Sequence, residues 1–311
     1  MSYFEKLKST GNIGFYAAVL IVKVYRLLRY NFFSDKFYLK KKFLKIHGYP
    51  LSWENPRTLN EKMQWLKIND RRPINTLLAD KFAVRAYIAE HFGEEFLIPL
   101  LFKTTKPTEL KPENLPQEPF IIKSNHDSGN YIIVRDKTTV DWHSVQLQFK
   151  WSMAFNYYFQ DREWQYKNIK PCILVEKLLQ QKDGKIPNDY KLHCINGSAA
   201  FVYVSVDREG KNKRNIYDKN WNELHFTFAA KGKNISNIRG EEIEPPLSYP
   251  KMIEFAEQIA QLYPYVRVDF YDVDGKLYFG EVTHHHGGGF DRFSPVEWDL
   301  KWGEMIELDK N

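Results

Sequence analysis

The sequence of 311 residues predicts a mixed α+β fold with at least two lobes. Residues 1–98 have mainly helical patterns, interrupted at Asn55-Pro56 and at Arg71-Arg72-Pro73, because a residue before proline is disfavoured in a helix. From Pro99 onward, short apolar runs of strand length alternate with turn residues. Helices and strands are thus expected in separate stretches of chain.

The individual elements are predicted from local patterns. Asp80 is a candidate N-cap for a helix that starts at Lys81, and the proline-rich segment 103–119 is expected to be a loop. The sequence Asn196-Gly197 predicts a hairpin turn. The predicted later helices are Trp142–Tyr158 and Pro250–Leu262. The predicted strands are Phe120–Lys123, Tyr131–Val134, Cys172–Glu176, Lys191–Ile195, Ala200–Val206, Tyr265–Tyr271 and Lys276–Thr283.

Charge is distributed unevenly along the chain. The formal net charge is +6, yet residues 1–45 contain ten lysines and arginines against Glu5 and Asp35, so this arm carries the whole basic excess. Its apolar run Ile13–Val22 is shorter than the roughly 20 residues that span a bilayer. The arm is either an interfacial helix on an anionic membrane or a core helix with a basic outer face. Nucleic-acid binding is not expected, because the basic residues are not spread along a groove.

Cysteine usage favours a reduced, cytoplasmic protein, in which a membrane-binding arm would place the chain at the inner face of the membrane. The two cysteines, Cys172 and Cys194, each lie in an apolar stretch predicted as a strand. No CxxC spacing for a metal occurs, and two cysteines do not make a disulfide scaffold.

The first candidate site follows the strand that ends at Lys123. A small polar loop, Ser124–Asn130, opens directly after this lysine. Such a loop can direct backbone N–H groups toward an anion while the lysine supplies a positive charge for a phosphate. The alternative is a polar hairpin with a solvated lysine.

The second candidate is an acidic pair on two predicted neighbouring strands. Alternation places Arg267 and Asp269 on one strand face. A three-residue loop Val273-Asp274-Gly275 would put Asp269 and Glu281 on the same face of the hairpin, whereas a two-residue Asp-Gly loop would put them on opposite faces. On the same face, the two carboxylates would suit Mg²⁺ and phosphate.

The run His284-His285-His286 followed by three glycines is a third candidate. Consecutive histidines cannot all point at one ion, and no distant His or Cys set has matching spacing. Glycines allow a backbone to approach a ligand closely. We therefore expect a substrate or phosphate loop here rather than a zinc site.

In this order, the segments resemble the ATP-grasp superfamily, and closely its teichuronopeptide-biosynthesis, TupA-like branch. The resemblance covers residues 55 to about 303. The stretches that carry it are Asn55–Lys67, Ala79–Arg85, Ile122–Gly129, Asp189–Lys191, Arg267–Tyr271 and Tyr278–Thr283. It implies an α+β ATP-grasp fold in which two lobes clamp ATP, preceded by a helical basic region. The implied parts are residues 1–98 (helical region), 99–178 (small lobe with the phosphate lid) and 179–311 (large lobe with the metal-binding strands).

The resemblance also implies roles for individual residues in phosphate binding. Lys81 and Lys123 correspond to the two lysines that contact phosphates. The loop from Ser124 to Asn130, with Ser128 and Gly129 near its tip, corresponds to the lid over the phosphates.

Other implied roles concern the base, the ribose and the reacting groups. Glu176 and Leu178 correspond to the adenine hinge, and Asp189 to the ribose ligand. Lys191 and Arg267 would face the γ-phosphate or an acyl intermediate.

Mg²⁺ would be bound by Asp269 and Glu281 in this resemblance. The second metal strand of the superfamily usually ends Glu-x-Asn, whereas this chain has Thr283 at the last position. A hydroxyl is a poorer metal ligand than an amide carbonyl, so Thr283 is the weakest member of the predicted set.

The implied activity is an ATP-dependent carboxylate–amine ligase that forms an amide bond through an acyl phosphate. The expected substrates are a small-molecule or glycan carboxylate and an amine, and the expected product is an amino-acid or peptide decoration on a bacterial surface or capsular polysaccharide. The alternatives are a glycosyltransferase of polysaccharide biosynthesis and a non-catalytic nucleotide-binding protein.

Overall fold

The structure, a computed structural model, describes residues 11–229 and 239–308. The chain divides into two compact units. The first unit contains the residues up to Leu39 together with Pro99–Leu178, and the second contains Lys40–Ile98 and the residues from Leu179 onward. The helical segment 1–98 is therefore shared between the units. Three charged residues of the basic arm, Glu5, Lys6 and Lys8, lie outside the described residues.

The elements are numbered here in chain order. The helices are α1 Gly11–Phe32, α2 Asp35–His47, α3 Leu59–Asn69, α4 Pro73–Ala79, α5 Val84–His91, α6 Trp142–Met153, α7 Tyr158–Asp161, α8 Tyr249–Ala260 and α9 Glu297–Met305. The strands are β1 Leu100–Thr104, β2 Phe120–Ser124, β3 Tyr131–Val134, β4 Ile173–Lys177, β5 Asp189–Ile195, β6 Ser198–Val206, β7 Lys213–Asp218, β8 Thr227–Ala229, β9 Tyr265–Val273, β10 Lys276–Thr283 and β11 Arg292–Ser294.

The first unit is built on an antiparallel sheet with strand order β1-β4-β2-β3. Side chains alternate along β2, so that Phe120 and Ile122 are buried while Lys123 lies on the other face. The buried face packs against Val145 and Phe149 of α6. This arrangement leaves Lys123 outside the hydrophobic core of the unit.

The second unit contains a five-stranded antiparallel sheet with order β10-β9-β5-β6-β7. On one face of the sheet, helix α8 places Met252, Phe255, Ala256 and Ile259 in the core. On the other face, α3 and α9 pack against residues such as Phe201 and Tyr265. The sheet is therefore covered on both sides, and several polar side chains within it, such as His193, Arg267 and Asp269, are buried.

The two predicted hairpins differ in outcome. At Asn196-Gly197 both residues have positive φ, 47° and 83°, which confirms the predicted turn between β5 and β6. Between β9 and β10, Asp274 and Gly275 also both have positive φ, 53° and 91°, and Val273 pairs with Lys276. The loop thus has two residues, and the three-residue loop considered from the sequence is wrong.

Some element boundaries also differ from the predicted ones. Asp80 accepts hydrogen bonds from the backbone N–H groups of Phe82 and Ala83, so residues 81–83 form a turn and α5 starts only at Val84. The predicted helix Trp142–Tyr158 ends at Met153. Segment 103–119 is not entirely loop, because it contains the end of β1 and two short 3₁₀ turns. Strands β1, β7, β8 and β11 and helices α7 and α9 were not predicted.

The expectations about the cysteines and about membrane-spanning segments can also be compared with the described residues. Cys172 and Cys194 are both buried thiols outside any disulfide, and burial raises the pKa of the Cys194 thiol to about 12. Across 11–229 and 239–308, no helix has both the length and the apolar character needed to cross a bilayer.

Candidate active site

Strand pairing in the second unit brings the predicted reactive residues onto one face of the sheet. Asp269 of β9 pairs with Lys191 of β5 on one side and with Glu281 of β10 on the other. Two residues away on the same face of β9, Arg267 pairs with His193 of β5 and with Thr283 of β10. Two neighbouring rows across three strands therefore hold the polar side chains together.

A glycine bulge decides that Glu281 faces Asp269. After the two-residue turn, the register runs regularly as far as Phe279 opposite Phe270, and then shifts so that Glu281 pairs with Asp269. Gly280 is the extra residue, and a Cβ built there would lie 2.9 Å from the carbonyl oxygen of Asp269. The predicted same-face arrangement is therefore present, but it arises from the bulge and not from the loop.

The cluster is a network of close ion pairs. Arg267 binds Asp269 in a bidentate manner, with Nε 2.6 Å from Oδ1 and Nη2 2.7 Å from Oδ2. The same Nη2 lies 3.0 Å from Oε1 of Glu281. Lys191 Nζ is 2.8 Å from Asp269 Oδ2 and 2.6 Å from Asp189 Oδ2.

Lys81 and Thr283 complete the cluster at its more open side. Lys81 Nζ lies 3.6 Å from Oε2 of Glu281, and the Thr283 hydroxyl donates to Oε1 of Glu281 at 3.4 Å. The Glu281 side chain is 32% exposed, against 2% for Asp269. An incoming ligand can therefore approach Glu281 from solvent, whereas Asp269 is enclosed.

These pairs set the charge states of the buried groups. Burial opposes the charge of Lys191, but Asp189 and Asp269 outweigh it and raise the pKa of the ammonium. Burial also raises the pKa of Glu281, and the positive charges of Lys81, Arg267 and Lys191 outweigh it so that the pKa is lowered. Lys191 is consequently protonated and Glu281 is ionised at neutral pH.

His286 contacts the guanidinium of Arg267. Its Nδ1 lies 2.7 Å from Nη1 of Arg267, and its Nε2 lies 3.2 Å from Oδ2 of Asp291. Burial lowers the pKa of His286, although Asp291 opposes this effect. The ring of His193 lies 4.9 Å from that of His286, and burial holds the pKa of His193 well below its usual range. The histidine next to the guanidinium is thus neutral near pH 7.

The glycine run after the histidines is held by helix α3. Gly287, Gly288 and Gly289 all have positive φ, between 55° and 65°, which residues with a Cβ rarely adopt. Gln64 donates to the carbonyl of Gly289 at 2.6 Å, and Lys67 donates to the carbonyl of Gly288. Gly288 and Gly289 are thus buried and held by α3, while Gly287 is exposed, and the substrate or phosphate loop expected from the sequence stays a prediction.

Helix α3 is itself anchored by its capping box and by α9. The Thr58 hydroxyl accepts from the N–H of Glu61, and the Glu61 carboxylate accepts from the N–H of Thr58. Asn60 donates twice to Asp299 of α9, at 3.0 and 2.9 Å. Within the stretch Asn55–Lys67, structural partners therefore hold Thr58, Asn60, Glu61, Gln64 and Lys67.

Asp269 and Glu281 are the residues that could hold a metal ion. Both offer carboxylate oxygens, the ligand type that Mg²⁺ prefers, and they face each other across two paired strands. Mg²⁺ is usually bound through one or two carboxylates together with substrate phosphates. Among the described residues, no group of three or more His, Cys, Asp or Glu forms a metal cage. The donor set fits an ion that arrives with phosphates, and it does not fit a structural zinc.

In the first unit, Lys123 forms an ion pair with Glu176. Lys123 Nζ lies 2.6 Å from Glu176 Oε2, and the Glu176 side chain is only 3% exposed. Lys123 itself is 17% exposed. Leu178, the other predicted hinge residue, is buried, and its N–H donates to the carbonyl of Pro119.

The predicted lid loop has a fixed part and an open part. Ser124 and Ser152 both donate to the carboxylate of Asp127 at 2.5 Å, which ties the loop to α6. Ser124 is buried, whereas Ser128 and Gly129 are exposed. Any phosphate contact by Ser124 therefore requires the loop to rearrange, while the tip at Ser128 and Gly129 is accessible.

A cavity of about 920 Å³ lies beside this loop within the first unit. Its lining residues are Phe15, Arg26, Asp127, Ser128, Asn130, Ser144, Leu147, Gln148, Trp151, Ser152, Phe155, Tyr157 and Gln160. Among the described residues that line it, Arg26 is the one cation, and its guanidinium lies 4.7 Å from the ring centroid of Phe155. Burial and the nearby Arg29 lower the pKa of Arg26, and none of the described acidic residues forms an ion pair with it.

A family model of TupA-like ATP-grasp proteins matches residues 61–307 of the chain. The chain belongs to the TupA-like ATP-grasp family. The family predicted from the sequence, with its α+β ATP-grasp fold, is thereby confirmed. The matched region begins within α3, after the N-terminal helices α1 and α2.

Solved structures of ATP-grasp ligases are similar to this TupA-like protein at low identity. They include the ligase PsnB in complex with a minimal precursor, Mg and ADP, at 12% identity and a TM-score of 0.38, covering 73% of this chain and 58% of that one. The D-alanine–D-alanine ligase of Helicobacter pylori has 15% identity and a TM-score of 0.39, covering 80% and 69%. The ligase of the same name from Bacillus anthracis has 19% identity and a TM-score of 0.37, covering 67% and 57%. The chain thus spans less than two thirds of the first of these proteins, and a search of curated proteins found no match.

Several residues of the candidate site were not predicted from the sequence. His193 is visible there only as part of an apolar strand, and its position next to His286 depends on the β5–β9 register. Gln64 and Lys67 are separated from the glycine run by more than 200 residues. The polar residues on the otherwise apolar face of α3 were the available signal for them.

Proposed function

We propose that this TupA-like protein is an ATP-dependent carboxylate–amine ligase. The observation that carries the proposal is the row Lys191–Asp269–Glu281, in which two carboxylates and their cations share one sheet face in a chain of the ATP-grasp family. Such a row offers both hard oxygen ligands and positive charge for a transferring phosphoryl group.

The proposed reaction has two steps. A carboxylate oxygen of the first substrate attacks the γ-phosphorus of ATP, and the bond to the β-phosphate oxygen breaks, giving an acyl phosphate and ADP. The amine then attacks the acyl carbon, phosphate leaves with the C–O bonding pair, and the amine loses a proton as the amide forms. No protein nucleophile is required, so the protein contributes positioning and electrostatic stabilisation.

Arg267 and Lys191 suit the stabilisation of negative charge in both steps. Arg267 is held between Asp269 and His286, so its orientation is fixed before substrate arrives. Lys191 is fixed in the same way by two carboxylates. Lys81 and Lys123 are proposed to contact the phosphates of ATP, with Glu176 and Leu178 near the base and Asp189 near the ribose.

Mg²⁺ is the metal that the donor set fits, and Asp269 and Glu281 are the residues proposed to hold it. When bound, the ion neutralises charge that develops on the phosphate oxygens. Thr283 donates its hydroxyl to Glu281, and we propose that it orients this carboxylate instead of binding the metal.

The cavity of the first unit is proposed to take the carboxylate substrate. Aromatic side chains, amides and one guanidinium form a lining that suits a sugar carrying a carboxylate. Family context suggests a bacterial surface or capsular polysaccharide precursor as this substrate, and an amino acid or peptide as the amine. A cytoplasmic location follows from the use of ATP.

The test measures ADP release and amide formation by the full chain with ATP and Mg²⁺. Glucuronate or galacturonate is supplied alone, each amino acid is supplied alone, and both are supplied together. We expect ADP release that depends on both, with a product of the summed mass less one water. Thermal stabilisation by UDP-sugars instead of ATP–Mg²⁺ would favour a glycosyltransferase, and ATP binding without ADP release from any pair would favour a non-catalytic protein.

An Arg26→Gln variant tests the cavity separately. We expect about a tenfold higher KM for the uronate and an unchanged KM for ATP, because one charge-assisted contact is lost. Arg29→Gln is the matched control, since it removes the same charge from the same helix without lining the cavity. Equal effects of the two changes on the uronate KM would contradict the assignment.

A further inference from the structure

Helix α1 has an apolar side that faces solvent. Its aliphatic residues at helical spacing are 45% to 63% exposed: Leu20, Ile21, Val24, Leu27 and Leu28. Phe32 at its end is 75% exposed. The opposite side of the helix is buried through Phe15, Ala18 and Val19. Thus α1 is apolar on both sides, and just one of these sides is used within the first unit.

This finding separates the two alternatives for the basic arm. A core helix with a basic outer face requires charged residues on the exposed side. Over the described part of α1, Lys23 is the one exposed charged residue, whereas Arg26 and Arg29 are half-buried. An exposed apolar face of this extent marks an interaction surface.

The charges around this face indicate what it contacts. Lys23, Lys36 and Lys40 are exposed and form no ion pair with a described acidic residue. The one acidic residue in α1 and α2, Asp35, is already used, because it accepts from the Tyr158 hydroxyl at 2.7 Å and lies 3.6 Å from Arg162. An apolar stripe flanked by uncompensated lysines is complementary to a bilayer with anionic headgroups.

Two further features agree with a bilayer surface. Tyr16 and Tyr25, at 58% and 59% exposed, flank the aliphatic stripe, and tyrosine is favoured at the level of the headgroups. Helix α2 also mixes exposed apolar and basic residues, with Phe37 and Leu44 beside Lys40. A second copy of the chain would instead bring the same uncompensated lysines close together, which is unfavourable.

We propose that α1 lies in the surface of an anionic membrane, with Leu20, Val24 and Leu27 inserted among the acyl chains and the neighbouring lysines at the headgroups. This inference is independent of the proposed ligase activity, because it rests on exposed side chains of α1 and α2 and on no residue of the candidate active site. Binding of this kind scales with the apolar area that is buried and with the attraction of each basic residue to the headgroups.

Co-sedimentation of the full chain with vesicles tests the proposal. We expect binding to phosphatidylcholine vesicles with 25% phosphatidylglycerol, and weaker binding to pure phosphatidylcholine. The double variant Leu20→Glu/Leu27→Glu should lower partitioning about a hundredfold, because two leucines no longer insert. The double variant Lys36→Gln/Lys40→Gln should lower it roughly twenty-five-fold on anionic vesicles, at about fivefold per lysine.

The matched control is Leu247→Glu/Val296→Glu, which makes the same change at exposed apolar residues elsewhere, 87% and 63% exposed. It should retain vesicle binding, and circular dichroism checks that each variant is folded. The proposal is overturned if the wild-type chain does not bind anionic vesicles or if the control loses as much binding as the α1 variant. It is equally overturned if light scattering shows a dimer without lipid that Leu20→Glu/Leu27→Glu makes monomeric, while vesicle binding is absent.

Discussion

The two units hold their candidate phosphate ligands in different ways. In the second unit, Lys191 and Arg267 stand on paired strands, and each is fixed by at least two partners. In the first unit, Lys123 has one ion pair, with Glu176, and is followed by a loop whose tip is exposed. The paired strands of the second unit provide a preorganised cluster, whereas β2 of the first unit provides a lysine with a single ion pair next to an exposed loop. We infer that the charges of the second unit are fixed and that Lys123 can exchange its partner.

The largest effect is expected from Asp269→Asn in the fixed cluster. The change removes a proposed metal ligand and leaves Arg267 and Lys191 with less compensation, so ADP release should fall by roughly 10³-fold or more. Loss of one member of a buried ion pair should also lower the free energy of unfolding by roughly 3–5 kcal/mol. Chemical denaturation and the ADP assay measure the two quantities.

Glu254→Gln is the control for this change, since it removes a carboxylate from an exposed ion pair with Lys251. It should leave both quantities nearly unchanged. Turnover of Asp269→Asn within tenfold of the wild type would argue against a reactive role for the fixed cluster.

Lys123→Met tests whether the lysine of the first unit contacts ATP. We expect ATP to bind about ten- to a hundredfold more weakly, because a charge-assisted phosphate contact is lost. The variant also leaves Glu176 buried without its partner, which lowers stability. Isothermal titration with an ATP analogue and thermal unfolding separate the two effects.

Adding Glu176→Gln to this variant should restore stability without restoring ATP affinity. Lys177→Met, an exposed neighbour on β4 that pairs with Glu118, is the control. If the double variant binds ATP normally, Lys123 compensates the charge of Glu176 and does not contact the nucleotide.

Gly280→Ala tests how the fixed cluster is assembled. The new methyl group would meet backbone atoms of Asp269, so Glu281 should shift away from its place opposite Asp269. We expect about tenfold lower turnover and a loss of roughly 1–3 kcal/mol in the free energy of unfolding. Lys276→Ala, at the exposed start of β10, should change neither. Unaltered turnover in Gly280→Ala would show that the register of Glu281 is unimportant.

The smallest effect is expected at Asp299, a buried carboxylate without the cations that surround Asp269. Burial raises the pKa of Asp299 to about 6, although hydrogen bonds from Asn60 oppose this. The folded state therefore binds a proton more tightly than the unfolded state, whose ordinary value is near 4. The resulting stabilisation is complete below about pH 4 and is lost as the pH rises through about 6.

Comparison of the wild type with Asp299→Asn isolates this contribution. The wild-type free energy of unfolding should decline by about 1 kcal/mol or more relative to the variant between pH 4 and 6, and then run parallel to it. Glu304→Gln, on the exposed side of the same helix, should show no such difference. A constant difference across this range would mean that Asp299 titrates normally.

The sequence predicted the elements with strong local signals. The apolar strand Tyr131–Val134 and the Asn196-Gly197 turn are as predicted, and the predicted helix Pro250–Leu262 is present as α8 with shifted ends. Strands β8 and β11 have three residues each and pair only with one another, so no local pattern distinguished them. The boundary of α5 was missed because Asp80 caps a turn before the helix.

The site was predictable to the extent that it depends on strand alternation. Arg267 and Asp269 share a face because they are two residues apart on a strand. The bulge at Gly280 could not be predicted, because a bulge is defined by the register of two strands and not by one of them. The support of Arg267 by His286 likewise depends on the course of the chain after β10.

Helix α3 illustrates how a position can be intolerant of substitution without taking part in the proposed reaction. Asn60, Glu61, Gln64 and Lys67 are all buried, and each holds α9, the helix cap or the glycine run. In a saturation-mutagenesis survey scored by product formation, these positions would respond as strongly as the cluster on β9. Their substitutions would reduce the amount of folded protein, whereas those at Asp269 would also reduce turnover per folded molecule. A survey that records abundance beside activity would separate the scaffold of this protein from its proposed reactive groups.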